Sequence, residues 1–359
     1  MRATHPVSTN RSRPTMGESS LALLSRFFTW KNLLLNCVLA LGYMLTGELG
    51  VLLSQPQDAA TPVWLPAGIS LAAVLLQGSL VWPGIFLGSL LINLHAHAMF
   101  LPSAGFAAAS TLEALLAAYL VNRFAGGTRA FFGGTYALRF VIIAGLAVTA
   151  LCATLGSLVA CGAGLTAWAG FGQLWWLWWT ADVLGTLLIC PFLVILLGHS
   201  HPALGAAELI ELSVLLGILS LICVLNFGPS VAPWIPKSGL FYLCAPCLAW
   251  VAIRFCPLEA SGTTLLMGGF VMWGSLHGYG LFASATYPPY LGAGYVAMSC
   301  ATTLVGAAAF AEQGQNLENA LGSYYRLKQK YDERISAETE QNLHGDSEPM
   351  DVRIHVDEE

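Results

Sequence analysis

Six ionisable residues, Glu48, His95, His97, Glu113, Asp182 and His277, fall inside or at the edges of long apolar stretches. Carboxylates and imidazoles in such surroundings can bind cations or polar ligands and can exchange protons near neutral pH. They are costly to hold in an apolar medium and persist there with a partner, a cavity or a function. Three readings stay open: the residues pair with one another or with backbone to lock helices, they line a ligand pocket, or they relay protons. As a ligand-binding set they rank Asp182, Glu113 and Glu48 first, then His277, then His95 and His97. His95 and His97 stand two residues apart, so a helix turns them to different faces and they make a poor metal pair. No metal site is read.

Two further patterns carry little chemistry. Cys244-Ala245-Pro246-Cys247 has the spacing of a thiol–disulfide site, but no basic residue lies near in sequence to activate a thiolate, so packing is expected. The 9 cysteines are scattered through apolar runs and define no disulfide framework. Gly84-Ile85-Phe86-Leu87-Gly88 is a small-residue motif that lets two membrane helices approach closely.

The elements that must position these residues are long and apolar. The 359 residues are 56% hydrophobic and 10% charged, with a mean hydropathy of +0.67, which indicates an all-α, polytopic helical membrane protein. A β-barrel would show alternating segments of about ten residues instead of unbroken runs. Ten apolar segments stand at 32–54, 63–80, 82–100, 103–123, 136–161, 172–197, 208–228, 238–256, 261–279 and 290–311. The second and third are short and nearly continuous, forming two steep helices or an inserted hairpin, so eight to ten transmembrane helices are expected.

An even count with the N-terminus inside obeys the positive-inside rule. Of the 15 Lys and Arg residues only Lys237 then falls outside, so both termini are expected to be cytoplasmic. With about 1.5 Å of rise per residue, most of the buried ionisable residues then sit at mid-depth or toward the outer side, predicting an outer-half cavity. Trp168, Trp175, Trp176, Trp178 and Trp179 gather where indoles favour the membrane interface, an aromatic belt or a stacking surface for a ligand.

Residues 63–93 resemble the opening signature of the MASE1 domain, a bacterial integral-membrane sensory module. The resemblance rests on Trp64-Leu65-Pro66-Ala67-Gly68, Trp82-Pro83-Gly84, Leu87-Gly88 and Asn93. Residues 175–191 resemble its later stretch, where tryptophans precede Asp182, Leu184-Gly185 and Pro191. Thr111-Leu112-Glu113-Ala114, the run from Pro246 to Trp250 with Arg254, and His277-Gly278-Tyr279-Gly280 add to the match, which covers roughly residues 30–310. Two departures stand out: Ala181 replaces the usual glycine before the aspartate, and Leu65-Pro66 replaces Pro-Pro. The resemblance implies a signal-transducing membrane sensor of unspecified ligand, in a family whose members typically carry a cytoplasmic diguanylate cyclase, phosphodiesterase, PAS or histidine-kinase domain.

The expected organisation is a basic leader (1–31), a MASE1-like transmembrane sensory domain (32–311), a cytoplasmic helix (312–344) and an acidic tail (345–359). Leu317, Leu321, Tyr324, Lys328, Tyr331 and Ile335 recur at intervals of three and four, the seam of a coiled coil or the apolar side of a membrane-lying helix. The residues after 311 contain no GGDEF-like turn, no Gly-rich phosphate loop and no kinase-type histidine box, so neither enzyme activity nor a cofactor is expected. Expected partners are the lipid bilayer, a second copy through residues 312–344, and a diguanylate cyclase or histidine kinase in trans; nucleic acid is not expected. The alternative is a proton-coupled small-molecule transporter, which shares the buried carboxylates but would be expected to show internal repeats, and none is evident.

Overall fold

The computed structural model describes residues 29–52, 63–199, 203–229, 241–279 and 290–345. Most of the basic leader, Lys237 and the acidic residues from 346 onward lie outside the described residues. Among the described residues, regular structure is helical throughout. The helices are α1 (Trp30–Leu52), α2 (Leu65–Gln77), α3 (Trp82–His97), α4 (Phe100–Phe124), α5 (Gly134–Phe140) and α6 (Thr149–Gly162). They continue with α7 (Phe171–Gly198), α8 (Ala206–Phe227), α9 (Cys244–Arg254), α10 (Pro257–Leu276) and α11 (Tyr290–Gly345).

Each of the ten apolar segments overlaps a helix. Among the described residues seven helical runs are long and apolar enough to cross a membrane, and the protein is a polytopic helical membrane protein. Exposed Leu33, Leu34, Val38, Leu41 and Leu45 on α1 form an apolar surface that only lipid or a second protein can cover.

The short second and third segments divide the work unequally. A single turn, Ser79–Val81, leads into α3, so the continuous run Ser79–His97 reaches 19 residues. By contrast α2 has 13 residues, or about 20 Å against an apolar thickness of about 30 Å. Pro66 opens α2, where its missing N–H costs nothing, and Gly78 ends it at φ +83°, a conformation that favours glycine. α2 is sunk into the bundle with Ala67, Leu71, Ala72, Val74 and Leu75 buried.

The helix that receives α2 is α7. Of its most apolar window 67% is buried, against 22% for α1 and 11% for α8, which makes α7 the axis of the bundle. A helix hydrophobic on all sides belongs in this position. Gly68 faces the Gly185 carbonyl and Gly185 faces the Trp64 carbonyl so closely that a Cβ at either would collide with backbone. The Trp64 N–H donates to the Ala181 carbonyl at 3.0 Å, fixing the start of α2 against α7.

The glycine pair of α3 packs as its spacing predicts. A Cβ at Gly84 would come to 2.6 Å from the Asn36 carbonyl, and one at Gly88 to 2.6 Å from the Tyr43 Cβ. Asn36 closes this contact, accepting from the Gly84 N–H at 2.7 Å and donating to the Leu80 carbonyl at 3.2 Å.

α5 and α6 form one continuous run, Gly134–Gly162, through a π-helical stretch at Val141–Val148. Wider π turns leave carbonyls available to neighbours and often stand at functional sites. Here the Leu146 carbonyl accepts a hydrogen bond from the Trp179 indole at 3.0 Å. The chain divides into two units, Met1–Phe310 and Ala311–Glu359, with the division inside α11. Within the second unit Leu317, Leu321, Tyr324, Tyr331 and Ile335 are all exposed.

Candidate functional site

Glu113 is carried by α4, Cys152 by α6 and Asp182 by α7. Their carboxylate and thiol ligand atoms all lie within 4.8 Å of one another. Each residue is only 7% exposed, so the cluster is enclosed where the three helices meet. The Cys152 thiol is in hydrogen-bonding range of the Glu113 carboxylate.

Local structure explains how the three converge. Ser103 and Thr111 on α4 bond back to the carbonyls of Met99 and Ala107, satisfying their hydroxyls within the helix. Small residues Ala114, Ala117 and Ala118 then let α4 approach its neighbours closely. On the other side, the Trp64–Ala181 hydrogen bond and the Gly185 contact hold the backbone on both sides of Asp182. The π-helical stretch ends just before Thr149, so Cys152 lies in the first turn of α6.

Among the described residues no basic group pairs with either carboxylate. The ion pairs among the described residues join His95 to Glu48 and Arg254 to Glu208 and Glu211, none of them Glu113 or Asp182. A polar layer adjoins the cluster: Tyr43, 1% exposed, accepts from the Trp64 indole at 3.4 Å and stands in hydrogen-bonding range of Ser89 and Ser110. Tyr43 is also within electrostatic reach of Asp182.

The other four predicted residues stand apart from this centre in their contacts. Glu48 on α1 meets His95 on α3 at 3.6 Å, with side-chain exposures of 25% and 67%. His97 packs its ring 5.8 Å from that of Phe106. His277 bonds to the Trp273 carbonyl at 2.8 Å and stacks on Tyr279, contacts that are all local. The structure therefore joins Glu113 with Asp182, and Glu48 with His95.

Three of the tryptophans bond or pack inside the bundle. Trp175 donates to the Thr154 hydroxyl at 2.9 Å, Trp178 fills the space over Gly156, and Trp179 reaches the π-helical carbonyl of Leu146. These three hold α7 against α6 and the π-helical stretch that precedes it, while Trp168 remains 62% exposed.

The sequence model of the MASE1 family matches residues 33–313. The chain belongs to the MASE1 family. No curated protein and no solved structure matches it. MASE1 is a membrane-associated sensory domain, and the match encloses Glu113, Cys152 and Asp182. The two MASE1 stretches that stand out in the sequence dock on each other: Trp64 to Gly68 open α2 directly against Ala181 to Gly185 of α7. The departure at Ala181 is accommodated, since the contact there uses its backbone carbonyl.

Two members of the polar centre escape a reading of the sequence. Cys152 sits in an apolar run where cysteine passes for a small hydrophobe, and Tyr43 sits in the first apolar segment with no polar neighbour that marks it. Only the meeting of α1, α4, α6 and α7 distinguishes them.

Proposed function

We propose that this MASE1 chain is a signal-transducing sensor of the bacterial inner membrane with both termini cytoplasmic. In this reading the Glu113–Cys152–Asp182 centre detects the stimulus and α11 passes the change to a cytoplasmic partner. The observation that carries it is a buried carboxylate pair held between three helices without a basic partner among the described residues. Such a pair has different energies with and without a bound positive charge, so a ligand there biases helix packing through its differential affinity for two arrangements.

Contiguous packing supports the relay. A Cβ added at Gly268 of α10 would come to 3.1 Å from Leu188, on α7 beyond Asp182, and to 3.5 Å from Val296 of α11, so these three helices pack closely there. The seam from Leu317 to Ile335 then offers a surface for a second copy or for a diguanylate cyclase or histidine kinase. The role assigned to the chain is not enzymatic.

Affinity purification of the intact protein from native membranes, followed by identification of bound proteins, tests this reading. The expected result is a cyclase or kinase that depends on Leu321 and Tyr331 and whose recovery changes in Asp182→Asn while membrane insertion persists. Unchanged recovery in Asp182→Asn sinks the sensing role. Substrate uptake into proteoliposomes without such a partner would favour the transporter alternative, to which the same carboxylates lend themselves.

A further inference from the structure

The sensing centre contains a sulfur donor as well as two carboxylates, a combination that neither a helix lock nor a proton relay requires. We infer that Glu113, Cys152 and Asp182 form a binding site for a divalent transition-metal ion of the zinc class. This names a ligand chemistry for the sensing centre and rests on that reading.

Geometry supplies the first argument. Three donors from three separate helices stand within 4.8 Å of one another. Tetrahedral zinc with O and S ligands at about 2.0–2.3 Å sets donor separations near 3.3–3.8 Å. Closing the difference takes about 1 Å of side-chain rotation, well within rotamer freedom.

Charge supplies the second. Both carboxylates are enclosed, no described ion pair includes either, and the Asp182 carboxylate receives no hydrogen bond among the described residues. Enclosed carboxylates without compensation are expensive, and one divalent ion neutralises two of them.

Donor chemistry selects the class of ion. Calcium and magnesium take oxygen ligands alone, and copper(I) favours sulfur-rich sites. A mixed set of carboxylate oxygens and one thiolate suits zinc and its neighbours, and three protein donors leave a fourth position for an exchangeable ligand. The Cys152 thiol already lies in hydrogen-bonding range of the Glu113 carboxylate. On binding, the S–H bond breaks and the sulfur–metal bond forms; the thiol proton, together with any proton held by the two carboxyl groups, is released to the medium, with no change of oxidation state.

The test uses full-length protein in detergent with Co2+ as a spectroscopic stand-in for Zn2+. The expected result is about one retained metal ion per chain, a near-ultraviolet thiolate-to-cobalt band, and loss of that band on adding Zn2+. Cys152→Ser should abolish the band and weaken binding by about tenfold or more, and Asp182→Asn should also weaken it. A native chain that retains no metal, or a band that survives in Cys152→Ser, overturns the site. If a variant fails to fold, a Zn2+-dependent rise in melting temperature of the native chain still decides the matter, its absence counting against the site. Metal retained while partner recovery ignores Asp182→Asn leaves the site standing and removes its sensing role. Altered recovery with no metal retained does the opposite.

Discussion

The Trp64 amide donates to the Ala181 carbonyl across 3.0 Å, so the start of the short helix α2 is tied to the residue immediately before Asp182. This bond, with Gly68 and Gly185 packed backbone to backbone, makes α2 a wedge that sets the position of α7 and therefore of its carboxylate. A helix too short to cross the membrane earns its place here by positioning a neighbour.

Replacing Gly185 with Ala should therefore be costly. The added methyl would collide with the Trp64 carbonyl, and backbone cannot yield as a flexible side chain can. We expect a loss of about 1–3 kcal/mol, read as a lowered midpoint in thermal unfolding in detergent. Gly217→Ala is the control, since nothing lies within 4 Å of a Cβ there and the change should be neutral or mildly stabilising. Equal midpoints for the two variants would contradict the wedge.

Asn36→Ala removes the side chain that joins α1 to the Leu80 carbonyl and the Gly84 amide. Hydrogen bonds between membrane helices average about 0.6 kcal/mol, so the loss of two should cost about 1 kcal/mol. Steric-trapping or denaturant titration in micelles measures it. Asn36→Asp keeps the acceptor for Gly84 and should separate the two bonds.

The architecture was largely legible before any coordinates because a membrane helix satisfies its own backbone hydrogen bonds, leaving long apolar runs as its signature. For the same reason all ten segments overlap helices, and the Trp64 to Gly68 and Asp182 to Gly185 stretches could be singled out. The π-helical turn at Val141–Val148 could not be, since nothing in that apolar run distinguishes it from ordinary helix. Likewise the separation of His95 and His277 from Asp182 depends on helix rotation, which residue type and depth do not specify. Cys152 became a candidate only when α6 placed it beside Glu113.

Trp179→Phe keeps an aromatic ring, though a smaller one, and deletes the donor to the Leu146 carbonyl. The π-helical stretch would lose an anchor next to the helix that carries Cys152. We expect a loss of about 0.6 kcal/mol, with an upper bound near 1.7 kcal/mol, in the same unfolding measurement. Faster hydrogen exchange confined to residues 141–149 should accompany it, and exchange unchanged there would remove the anchoring role.

The seam of α11 makes the last prediction. Lys328 occupies a core position among Leu321, Tyr324, Tyr331 and Ile335, and every one of these apolar neighbours is exposed in a single chain. If two copies pair through this seam, Lys328 sacrifices stability at the centre of the interface, and Lys328→Leu should strengthen association. Leu321→Asp should weaken it by placing a charge in the core. Cysteine crosslinking of the full-length protein in membranes, with single cysteines introduced along the seam in a background lacking the native ones, gives the readout. Crosslinks at seam positions that rise in Lys328→Leu and fall in Leu321→Asp support pairing. Crosslinking that is equal around the whole helix, or indifferent to both substitutions, assigns the apolar stripe to the membrane surface.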